Sequence, residues 1–222
     1  MCLRTLASLL VLALLPGCIN SGYLVTSLAA DPTAIAPSPA AQVTASRYTS
    51  HPPAATVQET VTLRIAGPFD LDDRARILRA VNEWNVALNG FVRLAIVDDS
   101  APGAGQRQPR PWTIMTANGI GPRAAPGSTI ALAHTQAVPG AGGLMIVYRD
   151  RIGMRDLGSV IMHELGHVLG LGHGPKGLMA AHYHPTDQQC VDKATIADVA
   201  AQRRLPIGQL NWCQANVQSA AR

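Results

Sequence analysis

His163, Glu164 and His167 stand in the order HExxH, and His173 follows within the same stretch, VIMHELGHVLGLGHGPKGLM (160–179). The chain has only 7 histidines, so three between positions 163 and 173 ask for a chemical reason. Residues four apart on a helix project to one side, about 40° from each other. His163 and His167 can therefore offer two imidazoles to one ion, and Glu164 can reach a bound water without displacing it. His173 lies too far along: on a continued helix it would point about 120° away from the pair. Gly170, with Gly172 close behind, permits the sharp turn that brings it back. Three neutral imidazoles and a water would make a four-coordinate zinc with an open position. Glu164 would then serve as general base.

Those residues need a helix, a turn and a frame. Ile161, Leu165, Val168 and Leu169 supply apolar positions that bury a helix over about 155–169. Upstream, ETVTLRIAG (59–67) alternates Val61, Leu63 and Ile65 with polar residues, as a half-buried strand does. In DLDDRARILRAVNEWNVALNG (70–90), Ile77, Val81, Trp84 and Leu88 form a helical stripe, opened by aspartates and stopped by Asn89-Gly90. Strands are predicted at 91–99, 112–118, 128–135 and 143–150, and a last helix over 192–204. Strand, helix, strands, helix, irregular segment, helix: the pattern is α+β with a single sheet.

The extended motif HExxHxxGxxH (163–173) followed by Leu178-Met179 resembles the metzincin zinc peptidases, whose signature is this motif and a Met-turn. The resemblance implies a zincin domain with one mixed twisted sheet, an active-site helix, a Met-turn and a C-terminal helix. It implies Met179 as the apolar floor beneath the metal. LAHTQAVPGAGG (132–143) is similar to the LAHA…PG…GG stretch of matrixins, where an edge strand pairs with substrate backbone. His134 stands where matrixins have a ligand of a structural zinc. The companion ligands are missing here, so one catalytic zinc is expected, and neither a second zinc nor structural calcium is supported. Tyr183, after the methionine, resembles the tyrosine that stabilises the oxyanion in other metzincins, and His182 and His184 are candidates for the pocket beyond the scissile bond. All three could equally belong to a solvated loop.

The first residues, MCLRTLASLLVLALLPGC, have a positive charge at Arg4 and an apolar run too short for a membrane span, as a secretory signal does. LPGC resembles the lipobox of bacterial lipoproteins, with Cys18 as the acylated residue. Ile19, rather than Asp, resembles outer-membrane sorting in enteric members. The expected layout is a signal at 1–17, a flexible Ala/Pro/Ser/Thr-rich linker over 18–57 and a peptidase domain over 58–222. Cys190 and Cys213 remain for an oxidising compartment. A bridge between them would close a loop of about 24 residues and contribute about 3 kcal/mol. Free thiols or a metal role are the alternatives, although neither cysteine has a Cys or His at finger spacing.

A net charge of +4 with scattered Lys and Arg shows no basic patch for nucleic acid. The reading is an exported zinc metalloendopeptidase, lipid-anchored, acting on protein or peptide substrates. The alternative is a noncatalytic envelope lipoprotein that binds a partner through the same scaffold. Glu164 argues against it, since a purely structural zinc has no need of that carboxylate.

Overall fold

The computed structural model describes residues 25–30, 47–97, 111–118, 130–138, 142–184 and 190–214. The signal segment and Cys18 lie outside the described residues. Seven strands form one sheet: β1 (Val25–Ala30), β2 (Glu59–Ile65), β3 (Val92–Ile96), β4 (Trp112–Ala117), β5 (Ile130–Ala137), β6 (Gly143–Tyr148) and β7 (His182–Tyr183). Their spatial order is β3-β2-β4-β6-β5-β1-β7. β3, β2, β4 and β6 run parallel to one another, whereas β5 is antiparallel to β6. The sheet is therefore mixed, as the resemblance implies, and five of its strands were predicted from the sequence.

Helix α1 (Leu71–Leu88) is opened by Asp70, whose side chain accepts the Asp73 N–H, and is closed by Asn89 in the left-handed region. Its apolar stripe, including Ile77, Val81, Trp84 and Leu88, is fully or nearly buried. Helix α2 (Arg149–Ile152) is a single turn after β6. Helix α3 (Leu157–Val168) carries the motif, and all of its residues except Ser159 are buried. It packs on α1, where the Trp84 indole N–H donates to the Met162 carbonyl at 2.9 Å. Helix α4 (Lys193–Arg203) starts at Asp192, which accepts the Thr195 N–H. Among the described residues no helix is long and apolar enough to cross a membrane.

Two pieces of the segment expected to be a flexible linker are ordered. Val25–Ala30 is strand β1, antiparallel to β5 on one side and parallel to β7 on the other. Residues 47–57 lie against the domain. The Arg47 guanidinium donates to the buried Glu83 carboxylate at 2.8 Å. The Tyr48 hydroxyl donates to the same carboxylate and accepts the Val191 N–H. Burial, and then the Glu83 charge, push the Tyr48 hydroxyl well above the usual phenol range, so it stays protonated. Without Arg47 and Tyr48, Glu83 would be a carboxylate buried without compensation, so residues about ten before the expected boundary at 58 are tied to the domain. The sequence offers no period there because these contacts are made by single residues to elements far along the chain. Cys190 and Cys213 form a disulfide that encloses α4, and Tyr48 pairs in an isolated bridge with Cys213.

Candidate metal centre

Asp156 begins the site by capping α3: its carboxylate accepts the Gly158 and Ser159 N–H groups. Arg76 of α1 reaches the same carboxylate at 3.4 Å. The helix then presents His163 and His167 on one side, with ring centroids 4.7 Å apart. It ends as the glycines predict. Gly170 has φ +94°, its N–H donates to the His167 carbonyl, and the Leu171 N–H donates back to the Gly166 carbonyl. That is a Schellman turn, which a residue with a Cβ would strain. The turn delivers His173, whose ring lies 5.3 Å from that of His163 and 4.9 Å from that of His167.

The same turn orients the ligands. His167 Nδ1 lies 2.7 Å from the Leu171 carbonyl, and His163 Nδ1 lies 2.7 Å from the Leu178 carbonyl. A carbonyl can only accept, so each Nδ1 carries the proton and each Nε2 keeps its lone pair. The two Nε2 atoms face each other at 3.0 Å. Two lone pairs at that distance repel unless a cation accepts both. Burial, foremost, pulls His163 down to about 3 and His167 down to about 4. Both rings are thus neutral at neutral pH, the form that binds metal. One ligand atom from each of the three histidines falls within 4.8 Å of the others. The 3.0 Å between the Nε2 atoms of His163 and His167 suits two zinc–nitrogen bonds of about 2.0–2.1 Å, and three neutral imidazoles are a donor set that fits zinc.

Met179 and Gly166 are matched. Met179 is buried under α3, and a Cβ at position 166 would collide with its sulfur. The glycine between the two ligands is therefore what lets the methionine approach, a role the sequence reading missed. The Leu178 N–H reaches the Asp192 carboxylate at 3.4 Å. The start of α4 thus supports the carbonyl that holds His163.

Glu164 is completely buried, and the Thr135 hydroxyl of β5 donates to its Oε2 at 2.6 Å. Sequence reading missed Thr135 as well, although a signal was present. Thr135 stands in LAHT where the matrixin stretch has alanine.

His134, one residue earlier, places Nδ1 3.2 Å from the Tyr148 hydroxyl and stacks on that ring. Tyr183 is buried in β7, and its hydroxyl accepts the Asp156 N–H at 3.2 Å, at the start of α3. The oxyanion role would need that hydroxyl at the histidine cluster, about two helical turns from Asp156. The geometry instead uses Tyr183 to join β7 to α3. His182 and His184 are exposed.

Residues 105–205 match the family model described as Matrixin, and that stretch contains all three histidines, Glu164 and Met179. No curated protein sequence matches the chain. Among solved structures, archaemetzincin from Methanopyrus kandleri aligns at 13% identity over 68% of this chain and 98% of its own, with a TM-score of 0.45. Metalloproteinase-II from Bacteroides fragilis aligns at 15% identity over 69% of this chain and 56% of its own, with a TM-score of 0.43. The hatching enzyme high choriolytic enzyme 1, a zinc-protease from the medaka Oryzias latipes, aligns at 16% over 51% and 44%, with a TM-score of 0.29. The chain is thus similar to matrixins over 105–205, and within that stretch three histidines converge so that they could hold a metal ion.

Proposed function

We propose that this protein is a zinc metalloendopeptidase that acts outside the cytoplasm, held to the cell envelope by a lipid on Cys18. The observation that carries the catalytic part is the convergence of His163, His167 and His173 beside a buried Glu164. Zinc, when bound by these three imidazoles, supplies a Lewis acid for the scissile carbonyl and brings the pKa of a water toward about 7. The Glu164 carboxylate accepts the proton of the attacking water and passes it to the departing amine nitrogen. Thr135 holds that carboxylate by one oxygen, so the proton is taken up at a fixed place. The endopeptidase reading is supported by the resemblance of LAHTQAVPGAGG (132–143) to the matrixin stretch in which a strand pairs with substrate backbone.

Export and anchoring rest on the first eighteen residues alone: the charged start, the short apolar run and LPGC. The catalytic reading is tested by incubating the purified full-length protein with casein and a broad peptide library. Cleavage is expected to stop when a chelator is added and to return with added zinc. Absence of any chelator-sensitive cleavage would favour a noncatalytic partner-binding protein.

A further inference from the structure

The Cys190–Cys213 disulfide stands just before α4, and a short run of contacts leads from it to a histidine of the cluster. Val191 follows Cys190 and is fully buried. Its carbonyl accepts the Cys213 N–H at 2.9 Å, and its N–H donates to the Tyr48 hydroxyl. Next comes Asp192. One of its carboxylate oxygens caps α4 by accepting the Thr195 N–H at 2.9 Å. The other accepts the Thr195 hydroxyl at 3.0 Å and the Leu178 N–H at 3.4 Å. Leu178 in turn offers its carbonyl to His163 Nδ1 at 2.7 Å.

The fit at Asp192 is close. Gly177 has φ +76°, and a Cβ there would stand 2.9 Å from the Asp192 carboxylate. The loop before Met179 therefore runs tight against the start of α4, and a shift of Asp192 is felt at the Leu178 peptide. Without the cross-link, Val191 would depend on hydrogen bonds to residues 48 and 213. The segments that carry them are paired with each other, the Thr49 N–H to the Trp212 carbonyl and the Gln214 N–H to the Arg47 carbonyl. Segments held by a few backbone bonds open at low cost, and the covalent bond removes that freedom.

From this run of contacts we propose that the Cys190–Cys213 disulfide sets the zinc affinity of the histidine cluster, with Asp192 as the positioning residue between them. This rests on reading the cluster as a zinc centre and is independent of turnover. Closure of the disulfide fixes Asp192, Asp192 fixes the Leu178 peptide, and the Leu178 carbonyl aims the His163 ring. Loss of a group that orients a ligand histidine weakens metal binding about 10–100-fold. The chain therefore binds zinc tightly only once the two cysteines are oxidised. In that step their thiols give two electrons and two protons to a small-molecule disulfide, which leaves as two thiols.

The test compares four full-length proteins: the oxidised wild type, Cys190→Ala/Cys213→Ala, Asp192→Asn, and all three changes together. Asparagine still caps α4, but its amide group cannot accept the Leu178 N–H. Hydrogen exchange is measured on the metal-free proteins. The amides of residues 178–180 should exchange at least tenfold faster in every variant, while α1 stays protected. Zinc affinity, from competition with a chromogenic chelator, should fall about tenfold or more in the cysteine variant and in Asp192→Asn. The combined protein should lose little beyond that, because both changes cut one path. Reduced wild-type protein should bind zinc as the cysteine variant does and regain its affinity on treatment with oxidised glutathione.

Unchanged zinc affinity in either the folded cysteine variant or Asp192→Asn would overturn the proposal, as would losses that add in full. Loss of protection across α1 in the cysteine variant would show that the disulfide holds the whole domain, and would overturn the local path. If the oxidised wild type bound no zinc, the metal reading would fail, and faster exchange at 178–180 would still uphold the coupling.

Discussion

At the scale of single residues, the site depends on groups far apart in sequence that hold one another by short hydrogen bonds. Thr135 and Glu164 are 29 residues apart and meet at 2.6 Å in a fully buried setting. A hydrogen bond to a charged group contributes about 1.5–3 kcal/mol, and about 1.4 kcal/mol is tenfold in rate. Thr135→Val should therefore lower kcat about tenfold or more while leaving KM and zinc content nearly unchanged, and Thr135→Ser should keep most of the activity. Steady-state kinetics with metal analysis checks both. A valine variant with wild-type kcat would show that the contact does not position Glu164. The three histidines were legible in the sequence because their spacing on one helix and past one glycine is local. Thr135 was not, since only the folded sheet brings β5 over α3. Nor was the use of the Tyr183 hydroxyl at Asp156, because nothing in the spacing after Met179 says which way that side chain turns.

At the scale of elements, α3 is the piece that must be right. Gly166 within it leaves room for Met179, and Gly170 just past its end reverses the chain in the left-handed region. Overpacking a buried position costs about 1–3 kcal/mol. Gly166→Ala is expected to fold with a lower Tm and to bind zinc at least tenfold more weakly, because Met179 must move from beneath the ligands. Competition with a chromogenic chelator measures the affinity. The loss should shrink when Met179→Ala is combined with it, and an equal loss in both backgrounds would contradict the packing argument. Three of the four helices and five strands were legible in the sequence, whereas the single turn α2 stands partly where a strand was expected. Asp70 and Asp192 cap where the sequence placed helix starts, and Val61 and Leu63 are buried as the alternation requires. β1 and β7 were not legible. β7 has two residues, β1 lies in a stretch without period, and each is a strand only because a neighbouring backbone is there to pair with it.

At the scale of the molecule, the proposed anchor and strand β1 are close in sequence. Six residues separate Cys18 from Val25. Seven extended steps reach at most about 25 Å, so a chain with β1 in place would sit near the lipid surface. A free linker of about 40 residues would have a root-mean-square span of roughly 35 Å. Cys18→Ser should abolish incorporation of a clickable fatty acid and leave the protein soluble without detergent. The unsubstituted protein should label and be released from membranes by detergent but not by high salt. A wild-type protein that takes up no label and stays in the medium would refute the anchor.

The central claim, that three histidines hold one zinc while Glu164 moves the proton, is tested most directly by measuring bound zinc and peptide turnover on the same preparations of the wild-type and Glu164→Gln proteins. Close to one zinc per chain is expected in both, with similar Tm values. Turnover should fall by at least a hundredfold in the variant, as loss of a general base requires. Wild-type-like turnover in a zinc-bearing Glu164→Gln protein would contradict the account.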